Sequence, residues 1–147
     1  MALKPDRVEH LTDLSFFMDE IATRGQIVTH SSNGSGASMD DANAKVIKAT
    51  GTSDDPAGLL LNDVVNLDLT RQHINFAKDE VQKGGKVLLL RRGTVVTDNI
   101  AGTPSAGDKA YFDTDAKITT SAGSAQIGRF LSAKDADDYA KVEINIV

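Results

Sequence analysis

Short apolar runs, separated by turns rich in glycine and aspartate, dominate the chain from residue 25 onward. Residues 142–146 alternate between apolar and charged or amide side chains, as in a strand with one buried face. The uninterrupted apolar runs within 58–67 and at 87–90 predict strands with a stretch that is buried on both faces. The pattern predicts strands at 26–30, 44–50, 58–67, 86–92 (which 93–96 continues or restarts), 110–112, 117–120, 125–131 and 141–147. Short strands at this spacing are typical of a mainly β fold, here a small antiparallel β-barrel or sandwich.

The first 24 residues carry a different pattern. Their apolar positions recur every three or four residues, at Val8, Leu11, Leu14, Met18 and Ile21. This spacing favours a helix over 8–23, with Asp6 and Glu9 as a capping box and Gly25 at its end. Alternating apolar residues at 14, 16 and 18 also suit a strand, so both interpretations stay open. We therefore predict an N-terminal arm at 1–24, helical in the favoured reading, and a β-rich domain at 25–147.

Composition narrows the classes of function. The chain has 147 residues, enough for one domain, with 40% hydrophobic and 25% charged residues. Its net charge of −5 and its 5% aromatic content argue against a nucleic-acid partner. No apolar run approaches the roughly 18 residues that cross a bilayer, so we expect no membrane association. No secretory leader is visible either, and we expect the protein to stay where it is made.

Candidate chemical sites are weak. The absence of cysteine excludes disulfides, thiolate metal sites and cysteine nucleophiles. Asp113 and Asp115 resemble a carboxylate pair, and 135–138 resembles half of a calcium loop, but both suit solvated turns better. The three histidines have no partner at metal-ligand spacing. We predict no catalytic residues, no metal, no cofactor and no enzymatic activity; a hydrolase or sugar-binding protein using Asp113, Asp115 and the loop 31–38 is an alternative.

One acid-free basic stretch stands out around the apolar run at 87–90. It consists of Lys83, Lys86, Arg91 and Arg92. Phosphate binding is one interpretation of such a stretch. A strand with charged ends, or a contact with an acidic protein surface, is the favoured interpretation.

Several segments of the second half of the chain occur in a familiar order. They are 106–113 (Ala-Gly-Asp-Lys-Ala-Tyr-Phe-Asp), 117–120 (Lys-Ile-Thr-Thr), 127–131 (Ile-Gly-Arg-Phe-Leu) and 142–146 (Val-Glu-Ile-Asn-Ile), preceded by 58–65, 70–73 and 84–87. In this order the chain resembles bacteriophage capsid decoration, or cement, proteins over about 58–147. The resemblance implies a structural virion protein with no catalytic site.

The resemblance also implies a location and partners. Decoration proteins form homotrimers on the exterior of the phage head, where they clamp neighbouring major capsid subunits. A protein of this kind is made in the host cytoplasm and needs an adhesive segment beyond its own core. The candidate interface residues lie in the apolar arm and in the polar loop that follows residue 70: Leu11, Leu14, Phe16, Phe17, Met18, Arg71, His73, Ile74 and Phe76. Another β-rich virion component, such as a tail-tube or head-completion subunit, is the alternative.

Overall fold

The fold consists of strands and turns, in agreement with the mainly β prediction. The structure, a computed structural model, describes residues 3–4, 6–31, 44–51, 54–61, 80–81 and 83–146, and these residues contain no helix. The strands are β1 (Val8–Asp13), β2 (Phe16–Met18), β3 (Ala22–Thr23), β4 (Ile27–His30), β5 (Ala44–Lys48), β6 (Pro56–Leu60), β7 (Glu80–Val81), β8 (Leu89–Thr97), β9 (Ile100–Ala101), β10 (Lys109–Phe112), β11 (Ile118–Thr119), β12 (Gly128–Phe130) and β13 (Ala140–Asn145).

Most of the strands form one large mixed sheet, whereas the predicted barrel or sandwich was antiparallel throughout. Its strand order is β2-β5-β4-β6-β8-β13-β12-β10-β11-β9, with β1 also paired to β8, and β3 pairs separately with β7. Two neighbouring pairs, β2 with β5 and β11 with β9, are parallel. Among the described strands the path begins at β2 and ends at β9 without closing. The mainly β prediction is therefore confirmed, whereas the finer prediction of an antiparallel barrel or sandwich is not.

The longest strand, β8, organises the sheet because it hydrogen-bonds to three others. Its register places Gly93 between Glu9 of β1 and Ile144 of β13, so these two strands flank β8 on opposite edges. A Cβ atom at Gly93 would lie 2.2 Å from the carbonyl oxygen of Val8. Only glycine therefore allows β1 to approach β8 this closely.

Two hydrophobic cores lie on opposite faces of the central strands. Ile27, Leu59 and Leu90 are cross-strand neighbours, and all three belong to the larger core. The next cross-strand pair, Leu60 with Leu89, belongs to the smaller core. Because side chains alternate along a strand, β6 and the start of β8 are buried on both faces. This confirms the predicted fully buried strands at the described positions 58–60 and 89–90; residues 62–67 lie outside the described part of the chain.

The C-terminal half follows its sequence pattern closely. The side chains of β13 alternate strictly between buried and exposed, as predicted. The predicted hairpin pairs β10 with β11. In its turn, the Asp113 carboxylate accepts hydrogen bonds from the N–H groups of Asp115 and Lys117, both at 2.9 Å. Asp113 and Asp115 therefore belong to the hairpin turn, as predicted.

Asn99 connects three turns across the larger core. Its side-chain amide donates to the carbonyl oxygens of Gly25 at 3.0 Å and Ala116 at 3.1 Å. The backbone carbonyl oxygen of Asn99 accepts a hydrogen bond from the N–H of Ile118 at 3.0 Å. These bonds join the β3–β4 turn, the β8–β9 turn and the β10–β11 turn, so a single amide fixes segments that lie far apart in sequence.

The helix favoured for 8–23 is wrong, because this segment forms β1, β2 and β3. Four of its five periodic apolar side chains are exposed, at 8, 11, 14 and 21, and only Met18 is buried. The periodic spacing therefore does not mark a core face. The N–H of Ser15 donates to the carboxylate of Asp13, a local bond that competes with helical hydrogen bonding. Pairing with the open edge of β8 supplies the backbone partners of residues 8–13 instead.

Candidate functional site

The N-terminal segment lies alongside β8, on the edge of β8 that is opposite β13. Leu3 forms a bridge with Thr97, and the N–H of Lys4 donates to the Val96 carbonyl oxygen at 2.9 Å. Strand β1 continues this pairing in the antiparallel direction, with two register shifts. Leu3 is buried in the larger core, so the beginning of the segment is held by the chain's own fold.

Strand β1 is exposed on both of its faces. Five of its six residues are exposed and the sixth, Asp13, is intermediate. Val8 keeps 48% of its surface accessible and Leu11 keeps 42%, and Leu14, just past the strand, keeps 48%. Within the described residues, β1 pairs with β8 alone, so its outer edge has backbone donors and acceptors without a strand partner.

A tight turn separates this exposed strand from the buried one that follows. The Asp13 carboxylate accepts from both the N–H and the hydroxyl of Ser15, and it lies 3.9 Å from the Arg91 guanidinium. The Ser15 hydroxyl is the main reason why the pKa of Asp13 lies below its usual value, and the Ser15 N–H and Arg91 add to this against partial burial. The chain thereby turns inward at residue 15.

After the turn, β2 lies inside the fold. Phe16 is buried and Met18 is completely inaccessible, and both belong to the smaller core. The N–H of Met18 donates to the Gly85 carbonyl oxygen at 2.9 Å, while the N–H of Val87 donates to the Phe16 carbonyl oxygen at 3.1 Å. β5 pairs with the other edge of β2 in parallel, so β2 has backbone partners on both edges although it stands at the end of the strand order.

A buried ion pair fixes the end of β2 to β5. The Lys45 ammonium lies 3.3 Å from Oδ1 of Asp19, and the two side chains are only 4% and 10% exposed. Removing either partner would leave the other charge buried, so this pair holds the two strands in one arrangement. Apolar packing and this ion pair therefore both hold the segment after residue 15 in place.

The predicted interface residues fall into four groups. Leu11 and Leu14 are exposed, whereas Phe16 and Met18 are buried in the chain's own core. Phe17 is partly buried between them and forms a bridge with Lys86. The other four, Arg71, His73, Ile74 and Phe76, lie outside the described residues. Val8 was not among the predicted interface residues, but it is exposed like Leu11 and Leu14. The charged residues on either side of it, Arg7 and Glu9, were the signal in the sequence that it lies at the surface.

Three further observations concern other classes of site. The described residues hold no group of three or more histidine, aspartate or glutamate side chains placed to bind a metal ion. Asp135, in the predicted aspartate-rich connection, accepts from the N–H groups of Asp137 at 2.9 Å and Tyr139 at 3.0 Å. The described part of the chain contains no helix that is long and apolar enough to span a membrane.

Comparison with known proteins gives one family and a structural likeness. The family described as structural cement protein (E217 gp24/Pam3 gp6) matches residues 17–145. No curated protein matches the chain. A crystal structure of the head fiber gp8.5 N base of bacteriophage phi29 is similar, with a TM-score of 0.50 and 14% identity, covering 95% of this chain and 94% of that one. At this identity the likeness concerns the fold alone.

Proposed function

Because the chain belongs to the phage structural cement protein family, we propose that it binds the outer surface of a tailed-phage head and stabilises the contacts between major capsid subunits. A protein that binds only the assembled lattice stabilises that lattice by mass action. Many copies that each bridge neighbouring subunits add avidity without one large interface. This function needs recognition surfaces and no reaction chemistry. The protein is made in the host cytoplasm and acts in the virion, as a homotrimer.

The observation that carries the proposal is the exposed strand β1. It presents Val8 and Leu11, with Leu14 at its end, and each of these apolar side chains keeps between 42% and 48% of its surface accessible. Covering the exposed half of one such side chain is worth about 1 kcal/mol. A free strand edge with apolar side chains is also a template for pairing with another chain. The capsid subunit is the partner that we propose for it.

The proposed adhesive part of the 1–24 arm is accordingly its first half. Phe16 and Met18 contribute to the chain's own core, so we propose no capsid contact for them. Leu11 and Leu14 contact the capsid, with Phe17 at the border. We keep the loop with Arg71, His73, Ile74 and Phe76 as a second contact, with the capsid or with the next protomer of the trimer.

The test is binding of the purified protein to expanded heads that lack it. We expect saturable, symmetric binding of the wild type. The double variant Leu11→Asp/Leu14→Asp should bind at least about tenfold more weakly, since it loses two apolar contacts and buries two charges. Ile21→Asp is the matched control, because Ile21 is 52% exposed and lies outside β1.

Two outcomes would count against the proposal. If the wild type does not bind heads at any salt concentration, it does not act as a cement protein. If it assembles into rings or tubes in the absence of heads, as seen by sizing and electron microscopy, the alternative of a tail-tube or head-completion subunit takes its place. Equal binding of the double variant and of Ile21→Asp would remove β1 from the interface.

A further inference from the structure

The outward face of four neighbouring strands collects positive charge. The register places Lys109 of β10 opposite Arg129 of β12, and Arg129 opposite Glu143 of β13. Lys141 lies two residues from Glu143 on the same exposed face of β13. Arg92 of β8 pairs with the neighbouring exposed position, Asn145. We call Lys109, Arg129, Lys141, Glu143 and Arg92 the basic face.

The basic face opposes the charge of the rest of the protein. It holds four cations and one carboxylate, whereas the chain as a whole has 16 basic and 21 acidic residues. Without these five residues, 12 basic and 20 acidic residues remain, so the face carries a net charge of +3 on a background of −8. Adjacent strands lie about 4.8 Å apart, which brings the charges close together.

These charges are available to a partner. In the part of the chain that the structure describes, no ion pair within 4 Å involves a side chain of the basic face. The four cations and Glu143 are all exposed. Lys109 and Arg129 are cations directly opposite each other, an arrangement that destabilises an isolated sheet. Because these like charges have no ion-pair partner in the described part of the protein, the basic face is suited to bind a surface of opposite charge.

The residues beside the basic face identify the class of partner. Val8 is the cross-strand neighbour of Thr94, which lies opposite Glu143, and Leu11 is the neighbour of Arg92. The basic face therefore continues into the exposed apolar side chains of β1. A phosphate backbone offers nothing for such side chains to bury against, and the acidic remainder of the chain repels nucleic acid. A carboxylate-rich protein surface with apolar positions at its edge matches both features.

We propose that the basic face docks on a carboxylate-rich patch of the major capsid protein, with β1 covering apolar side chains at its edge. The inference rests on the proposed function and adds to it the chemistry of the partner surface. Opposite charges steer the protein to the head and fix its orientation, while the apolar side chains of β1 slow its release. Attachment is therefore faster and tighter at low ionic strength.

The experiment measures binding to undecorated expanded heads at low and at high salt. The double variant Arg129→Glu/Lys141→Glu should bind at least about tenfold more weakly at low salt and lose most of its salt dependence. Lys83→Glu/Lys117→Glu is the matched control, because it changes the net charge equally at two exposed lysines outside the face. The milder Arg129→Gln/Lys141→Gln should show a smaller loss, and it replaces the first variant if thermal unfolding shows that charge reversal destabilises the fold.

The outcomes distinguish a failure of this proposal from a failure of the proposed function on which it rests. If the wild type binds heads and the charge variants bind equally well, the basic face is not the docking surface, although the proposed function stands. If the wild type does not bind heads at all, the proposed function itself fails. If the charge variants bind heads normally but change the oligomeric state in sedimentation, a second copy of the chain occupies the face. Tight binding of duplex DNA at physiological salt would also overturn the proposal.

Discussion

The division of the N-terminal segment at residue 15 can be tested with two substitutions on either side of it. Met18 is completely buried in the smaller core, whereas Leu11 keeps 42% of its surface exposed. The structure predicts that Met18→Ala mainly lowers stability and that Leu11→Ala mainly lowers binding to heads. Leu131 provides a matched control for stability, because it is also 42% exposed but follows β12 rather than lying in β1.

The expected changes in stability follow from how far each side chain is buried. Truncating a fully buried methionine to alanine costs about 2–5 kcal/mol, since the lost transfer energy and the new cavity add. In a domain of this length each kcal/mol shifts the melting temperature by roughly 2–4 °C, so a cost of about 3 kcal/mol lowers it by roughly 6–12 °C. For Leu11→Ala and Leu131→Ala, a surface effect within about 0.5 kcal/mol predicts a shift below roughly 2 °C.

Thermal unfolding followed by circular dichroism measures all three variants under the same conditions. Binding to undecorated heads, at a temperature where every variant is folded, supplies the second readout. We expect Met18→Ala to bind normally and Leu11→Ala to bind more weakly. The reasoning is refuted if Leu11→Ala lowers the melting temperature as much as Met18→Ala does, because Leu11 would then belong to the core.

Three further predictions concern the fold around the site. Gly128→Ala should lower the free energy of unfolding in urea by more than about 2 kcal/mol, because its Cβ would lie 1.7 Å from the Glu143 carbonyl oxygen; a neutral effect would contradict the β12–β13 register. Asn99→Ala should cost about 1–3 kcal/mol in the same assay, since the Gly25 carbonyl oxygen loses the amide donor and the Ala116 carbonyl oxygen keeps only the Ile27 N–H; a loss below about 0.5 kcal/mol, on the order of a surface change, would exclude this role. The depressed pKa of Asp13 means that its contribution to stability is present above its unfolded pKa and is lost as the pH falls through the folded value. The stability difference between wild type and Asp13→Asn should therefore shrink below about pH 4, and a difference that is independent of pH would show that the Ser15 contacts do not stabilise the ionised form.

Sequence patterns predicted the fold best where local chemistry and tertiary structure agree. The alternation in β13 marks one buried and one exposed face, and the sheet uses it in that way. The turn at Asp113 carries its own hydrogen-bond acceptor, so the hairpin of β10 and β11 follows from adjacent residues alone. The buried run that becomes the start of β8 needs only continuous apolar residues.

The N-terminal segment was mispredicted because its spacing was interpreted as burial. A helical period in apolar residues has meaning only if one side faces a core, and at Val8, Leu11 and Leu14 the apolar side chains face outward. Pairing with β8, more than 75 residues away in sequence, decides the backbone conformation, as the pairing of Val8 with Thr94 illustrates. Nothing in residues 8–13 themselves identifies β8 as the partner strand.

Long-range register also explains why the basic face could not be predicted. Lys109, Arg129 and Glu143 are far apart in the chain, and they form one row only through the pairing of three strands. The sequence analysis named the basic stretch around 83–92 as a strand with charged ends or a contact with an acidic protein surface, but only Arg92 of that stretch belongs to the basic face. The choice between a closed and an open sheet could not be derived for a similar reason, since sheet closure depends on edge pairing that strand patterns do not encode.

A cryo-electron microscopy reconstruction of expanded heads saturated with the protein tests the central claim most directly. We predict that β1 and the basic face lie against the capsid shell, with carboxylate side chains of the major capsid protein opposite Arg129 and Lys141. A reconstruction in which both surfaces point to solvent, with a different side of the protein on the shell, would contradict the account.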